Sequence, residues 1–233
     1  MELSSRDGSF HQIFLKNPLN ALLISDFHFS DDGSSYFSIE SNKDTMDFLP
    51  ILIKEITPNQ IFILGDLFHF GQENTPFVSQ TLTFFSELNQ EVLIIGGNHD
   101  GILIKNQIEK WSQGNLHIYF DTFLCYETSH DKIWFAHDGN NPYWLDKSEV
   151  PSFLTSLKKI YEIQEQYWLI TGHTHLPCII EEMKVASLGC FNTEGHNQPL
   201  SYGIVTESGN QITFSLHDAE ELYYQWKRSA RSK

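Results

Sequence analysis

Three short apolar runs, at residues 21–25, 60–64 and 91–95, alternate with two segments of helical pattern at 44–57 and 76–90. This alternation constrains the fold more than any other feature of the chain. Short apolar runs with no polar alternation read as strands covered on both faces. Helical segments between them imply right-handed crossovers, and so a parallel core sheet with helices packed on it. Asp44 or a neighbour is the expected N-cap of the first helix.

The second half changes character. Short strand candidates lie at 116–119, 122–127 and 132–136, a helical segment at 151–166, and further strands at 168–171, 178–182, 184–188, 200–207 and 211–216. Ser208-Gly209-Asn210 between the last two is a hairpin signal. A mostly parallel half followed by a strand-rich half predicts an α/β fold: a four-layer α-β-β-α sandwich of two mixed sheets. One domain is expected over 1–233, with 217–233 as a C-terminal helix or tail.

Composition narrows the function classes. The chain has 233 residues, 40% of them hydrophobic, which suits a globular domain with a sizeable core. No apolar stretch approaches the roughly 20 residues of a spanning helix, and the first residues lack a signal-peptide pattern. Cys125, Cys178 and Cys190 are odd in number and widely spaced, as expected of free thiols in a reducing compartment, so the expected location is cytoplasmic. The net charge of −15 works against sequence-independent binding of a nucleic acid. Lys227, Arg228, Arg231 and Lys233 read as a solvated tail rather than a basic patch.

The chemistry sits where the strands end. The first run closes in Ser25-Asp26-Phe27-His28, the second in Gly65-Asp66, the third in Gly96-Gly97-Asn98-His99-Asp100. In open α/β sheets, sites form outside the carboxyl ends of strands. Residues 26 and 28 are two apart, so an extended backbone would point both side chains to one side. Candidate strand 132–136 leads into His137-Asp138-Gly139, and 168–171 into Gly172-His173-Thr174-His175, again with imidazoles at i and i+2. Singly, each piece has a structural reading as a cap, a turn or a hydrogen-bonded histidine. In this order, they read as one metal-binding site.

The series Asp26-x-His28, Gly65-Asp66, Gly97-Asn98-His99-Asp100, His137 and Gly172-His173-x-His175 resembles the calcineurin-like metallophosphoesterase superfamily. All five family motifs stand in family order, and Ala136 replaces the glycine that many members have before the histidine. The resemblance implies two divalent metal ions bridged by Asp66. Asp26, His28 and His175 would complete one site, and Asn98, His137 and His173 the other. Mixed imidazole, carboxylate and amide ligands suit Mn, Fe, Zn or Ni better than Ca, with Mn expected. The implied reaction is hydrolysis of a phosphoester: a water between the ions loses its proton and attacks phosphorus in line, with His99 as general acid. Asp100 would orient His99 or its loop, and the partner would be a small phosphorylated substrate.

Gly65-Asp66-Leu67-Phe68 and Gly172-His173-Thr174-His175-Leu176-Pro177 look similar to the branch that contains UDP-2,3-diacylglucosamine hydrolases. Phe27, Phe29, Phe68 and Phe70 then either line an apolar pocket or belong to the core. Two departures count against that branch. His99 stands where it usually has arginine, and only residues 138–172 separate His137 from His173, which is short for a helical cap. The same fold would also serve a nuclease, or a metal-free scaffold that binds partners. A nuclease would want a basic groove and a scaffold would lack ligands, and this chain is acidic with every ligand position filled. His69 and His196 either reach the substrate or serve structure.

Overall fold

The computed structural model describes residues 2–6, 10–15, 17–31, 37–69, 76–100, 114–119, 123–137, 145–194 and 199–230. Its strands are β1 (Glu2–Arg6), β2 (Phe10–Phe14), β3 (Asn20–Ile24), β4 (Gln60–Leu64), β5 (Glu91–Ile95), β6 (Leu116–Tyr119), β7 (Phe123–Glu127), β8 (Lys132–Ala136), β9 (Trp168–Thr171), β10 (Cys178–Ile180), β11 (Val185–Ser187), β12 (Ser201–Ser208) and β13 (Gln211–Asp218). The helices are α1 (Ile39–Ile56), α2 (Pro76–Ser86), α3 (Val150–Ile160) and α4 (Glu220–Ala230). One sheet has the order β13-β12-β3-β4-β5-β6, the other β1-β2-β7-β8-β9-β11-β10. Both are mixed. β3 to β6 run parallel, as do β8, β9 and β11, with antiparallel pairs at the flanks.

The four layers follow from the period of the strands. Along β3, Leu22 and Ile24 enter a core shared with α1, α2 and α4, while Ala21 and Leu23 enter a core between the sheets. β4 and β5 divide the same way, with Ile61, Ile63, Val92 and Ile94 outward and Phe62, Leu64, Leu93 and Ile95 inward. Ile133 and Phe135 of β8 face them across the middle. Ala136 and Leu169 face the other way, onto Val150, Phe153, Leu154 and Leu157 of α3. A strand that supplies two cores must be apolar at every position, which is why these runs lack alternation.

Helix boundaries depart from expectation. α1 begins at Ile39, not near Asp44: Ser38 is the N-cap, its hydroxyl accepting from Ser41 N at 3.1 Å. Asp44 instead pairs with Lys227 of α4, so Lys227 is part of a helix packed on α1 rather than of a free tail. Ser41, Asn42 and Thr45 lie on the buried face of α1, and polar side chains there mask the apolar period. Thr57 in the left-handed region and Pro58 stop the helix. α2 ends at Ser86 and α3 at Ile160, each short of its expected end. β1 and β2 have no counterpart in the sequence pattern, because Glu2–Arg6 carries almost no apolar signal. The β12–β13 hairpin turns on Gly209 and Asn210, both at positive φ as a two-residue type I′ turn requires.

Lys158 of α3 is buried, and its ammonium donates to the carbonyls of Glu165 at 2.9 Å, Tyr167 at 2.6 Å and Met183 at 2.6 Å. This ties α3 to the approach to β9 and to the turn before β11. Lys158→Met fills similar space but strands the carbonyls. A loss of about 2–4 kcal/mol in urea unfolding is expected, and an unchanged midpoint would show that water replaces the ammonium without cost.

Candidate metal centre

Because β3, β4 and β5 are parallel, their carboxyl ends share one edge of their sheet, and β8 and β9 bring theirs to the same place from the other. The segments after β3 and β4 continue side by side. Asp26 N donates to Gly65 O at 3.0 Å, His28 N to Asp66 O at 2.9 Å and His69 N to Phe29 O at 3.0 Å. The chain is not extended there. Asp26 and His28 have φ of 55° and 47°, Asp66 50°, His173 74° and His175 54°. The convergence of residues 26 and 28, and of 173 and 175, therefore comes from successive left-handed turns and not from strand alternation. Aspartate and histidine tolerate this region better than most residues, yet such conformations persist only where the surroundings impose them.

Among the described residues the donor atoms form three groups, one of them the imidazoles of His28, His69 and His99, and the other two share a carboxylate. Asp26, His28, Asp66 and His175 place ligand-type atoms within 4.8 Å of one another, as do Asp66, His137 and His173. In the Asp26 group the Nε2 atoms of His28 and His175 are 2.9 Å apart, and His175 Nε2 lies 3.3 Å from Asp26 Oδ1. In the His137 group, Asp66 Oδ2 lies 3.2 Å from His137 Nε2, and Asn98 Oδ1 lies 3.2 Å from His137 Nε2 and 3.1 Å from His173 Nδ1. The same Asp66 oxygen is 3.7 Å from His28 Nε2, so one carboxylate faces both groups. Asp26 and His173, far apart in sequence, are in contact: His173 N donates to both Asp26 oxygens at 3.0–3.1 Å.

The surroundings orient the donors. His137 Nδ1 donates to Leu64 O at 2.8 Å, which turns its Nε2 toward Asp66. Ser25 Oγ donates to Asp26 Oδ2 at 2.5 Å. Asp100 does not spend its carboxylate on a side chain of the site. It accepts from Gly97 N at 2.8 Å, Phe68 N at 2.8 Å and Leu67 N at 3.3 Å, clamping the post-β4 and post-β5 loops together. Gly97 is required by this closeness, since a Cβ there would sit 2.1 Å from Asp66 Oδ1. Gly65, at φ 82°, would put one 2.1 Å from His137 Nδ1.

Burial opposes ionisation of both aspartates, but the imidazoles outweigh it. Asp26 is held below the usual carboxylate range by its hydrogen bond and charge interaction with His175, and Asp66 far below it by His137. Burial likewise opposes protonation of His137, but the Asp66 charge pushes it up to about 10. Burial pushes His99 down to about 4, against the pull of Asp66. Asp100 is pushed up to about 7 by burial and by Asp66. Anionic oxygens held among imidazoles suit divalent cations, which would stabilise the same carboxylates with a larger charge and displace protons on binding.

His99 is buried, its N–H donating to Asp66 Oδ1 at 2.8 Å, with its ring 4.7 Å from that of His28 and 5.1 Å from that of His69. His196, Phe70 and Asp138 lie outside the described residues. Phe27, Phe29 and Phe68 belong to the core beneath α1 and α2, and Phe68 also lines a small cavity with Leu67, Leu82, Ile94 and Ile118. Cys125, Cys178 and Cys190 are free thiols. No helix among the described residues is long and apolar enough to cross a membrane.

Several solved structures match this chain at low identity. They include a protein of unknown function from Aquifex aeolicus, at 18% identity and TM-score 0.46 over 73% of this chain and 88% of that one. Zinc-complexed Vps29 from Entamoeba histolytica matches at 15% identity and TM-score 0.44, over 86% and 99%. The Pseudomonas putida nuclease MPE matches at 18% identity and TM-score 0.42, over 80% and 84%. No curated protein matches the sequence. The profile of the calcineurin-like phosphoesterases matches residues 19–181, which span every strand-end motif described above, and the chain belongs to that family.

Proposed function

We propose that the protein is a dinuclear, metal-dependent hydrolase of phosphoester bonds acting on a small phosphorylated substrate. The observation that carries this reading is the sharing of Asp66 between two groups of donors. A carboxylate offers two oxygens, and few arrangements besides a metal pair repay its burial among three imidazoles. Asp26, His28 and His175 would hold one ion, and Asn98, His137 and His173 the other, with Asp66 bridging. When bound, the ions would supply Lewis-acid stabilisation of the phosphoryl oxygens and a nucleophilic water. Manganese is the favoured ion, with Fe, Zn or Ni also suited to these ligands.

The remaining steps belong to the protein. Burial holds His99 toward its neutral form, whereas a phosphoryl anion arriving beside it would favour the imidazolium, the form in which His99 would donate to the leaving oxygen. His69, whose ring lies close to that of His99, would contact the substrate on the same side. Asp100 would keep the loops of Asp66 and Asn98 in register. The helix between the last two motifs, α3, is an outer layer of the sandwich packed on β8 and β9, which leaves it no role as an acyl-binding cap. That favours a small phosphomonoester or phosphodiester over a diacylglucosamine substrate. The charge of −15 disfavours a nucleic acid.

The test is elemental analysis of purified protein beside turnover of bis-p-nitrophenyl phosphate. Two divalent ions per chain and turnover abolished by EDTA are expected. EDTA should also lower the melting temperature, because ions that bind only the folded state stabilise it, by about 2.7 kcal/mol at 100 times Kd. Metal-free protein whose melting is indifferent to added Mn²⁺ would overturn the reading.

A further inference from the structure

The left-handed turn that carries Asp26 and His28 is held by a segment that lies beyond the matched profile. Ser25 O accepts from Phe191 N at 2.9 Å, Asp26 O from Cys190 Sγ at 2.8 Å and Phe27 O from Asn192 Nδ2 at 3.1 Å. Ser25 Oγ, whose one proton is shared between Asp26 Oδ2 and Gly189 O, lies 3.0 Å from the latter. Three successive carbonyls of the turn are thus bound by three successive residues, 190 to 192. Cys190 and Asn192 are buried, so neither water nor a neighbouring side chain substitutes for these donors without rearrangement.

The segment is itself anchored on the first turns of α1. Asn192 Nδ2 also donates to Asn42 Oδ1 at 3.0 Å, and Asn192 Oδ1 accepts from the Ser41 hydroxyl. Thr193 N donates to Thr45 Oγ1 at 3.1 Å, and Glu194 Oε2 accepts from Ser38 N at 2.6 Å. Asn42 closes the circuit by donating from Nδ2 to Ser30 O at 2.8 Å, on the far side of His28. This accounts for the polar residues on the buried face of α1, which the packing of an ordinary helix does not call for. The carbonyls of residues 25–27 and of Ser30 bracket the two positive-φ residues, Asp26 and His28, whose conformation costs on the order of 1 kcal/mol each.

We propose that residues 189–192 are a positioning strap for one half of the metal centre, with Asn192 and Cys190 as positioning residues that fix Asp26 and His28. The inference rests on the reading of those two residues as ligands. It separates the two ions. The strap touches the turn after β3, whereas Asn98, His137 and His173 follow β5, β8 and β9; His137 is oriented by Leu64 O, and His173 meets the turn through its N–H to the Asp26 carboxylate. Groups behind metal ligands change affinity by about 10–100-fold.

The experiment is calorimetric titration of Mn²⁺ into chelator-treated protein. Wild type should show two sites, and absence of any binding there would remove the metal reading and the strap with it. In Asn192→Ala, one of the two affinities should fall by about 10–100-fold while the second holds. Cys190→Ala removes a single donor and should weaken the same site by a few fold, so it decides the matter if Asn192→Ala does not fold. Circular dichroism establishes that each titrated variant is folded. Two unchanged affinities in folded variants, or an equal loss at both sites, would overturn the strap while leaving the metal reading intact.

Discussion

Asp66→Ala is expected to lose at least one of the two ions and more than about 100-fold in turnover, since even groups behind a ligand cost about 10–100-fold. Among the described residues, Asp66 is the side chain within reach of both donor groups, at 3.2 Å from His137 Nε2 and 3.7 Å from His28 Nε2. Removing it also withdraws the acceptor for His99 N, which now donates to Asp66 Oδ1 at 2.8 Å. The variant should still fold, because α1, α2 and α3 pack on cores that do not include the site. Its melting temperature should respond less to EDTA than that of wild type, which turns metal loss into a stability readout independent of turnover. Wild-type metal content together with wild-type turnover in this variant would show that the bridge is drawn through the wrong residue.

His99→Ala should keep both ions and the fold while losing about 10²–10⁴-fold in turnover, the range of a general acid. The two substrates to compare are a p-nitrophenyl ester and an alkyl ester. Nitrophenolate leaves without help, so its loss should be small, whereas an alkoxide needs the proton and should show the full effect. An equal loss on both would mean that His99 stabilises the phosphoryl oxygens instead. Metal loss would mean that the His99 ring is itself a ligand, since the variant keeps the backbone N–H that donates to Asp66.

The strands that carry the site are legible in the sequence because they are apolar at every position. β4, β5 and β9 fall where their runs stand, and the polar residues that close them converge as their order suggests. The way they converge is not legible. Left-handed turns at Asp26, His28, His173 and His175 depend on hydrogen bonds to residues distant in sequence, and no local propensity announces them. The start of α1 is hidden for a related reason. Ser41, Asn42 and Thr45 look like surface residues until Asn192 and Thr193 are placed against them. Nothing in Leu188-Gly189-Cys190-Phe191-Asn192 marks it as more than a loop, since its donors matter only for where they point.

The β12–β13 hairpin has a consequence for how the molecule is made. β3 lies between β4 and β12, so Leu23 waits for Gly203 before its sheet is complete. The strap must arrive before the turn after β3 can be held, and β8 and β9 must arrive before His137 and His173 face Asp66. A nascent chain that has released only its first half therefore exposes one edge of β3 and half a set of ligands. Long-range pairing of this kind slows folding and leaves strand edges open to wrong partners in the meantime. The proposed metal centre is complete only once the strap has followed the early motifs, and an ion that met those motifs alone would find Asp26, His28, Asp66 and Asn98 without His137, His173 and His175.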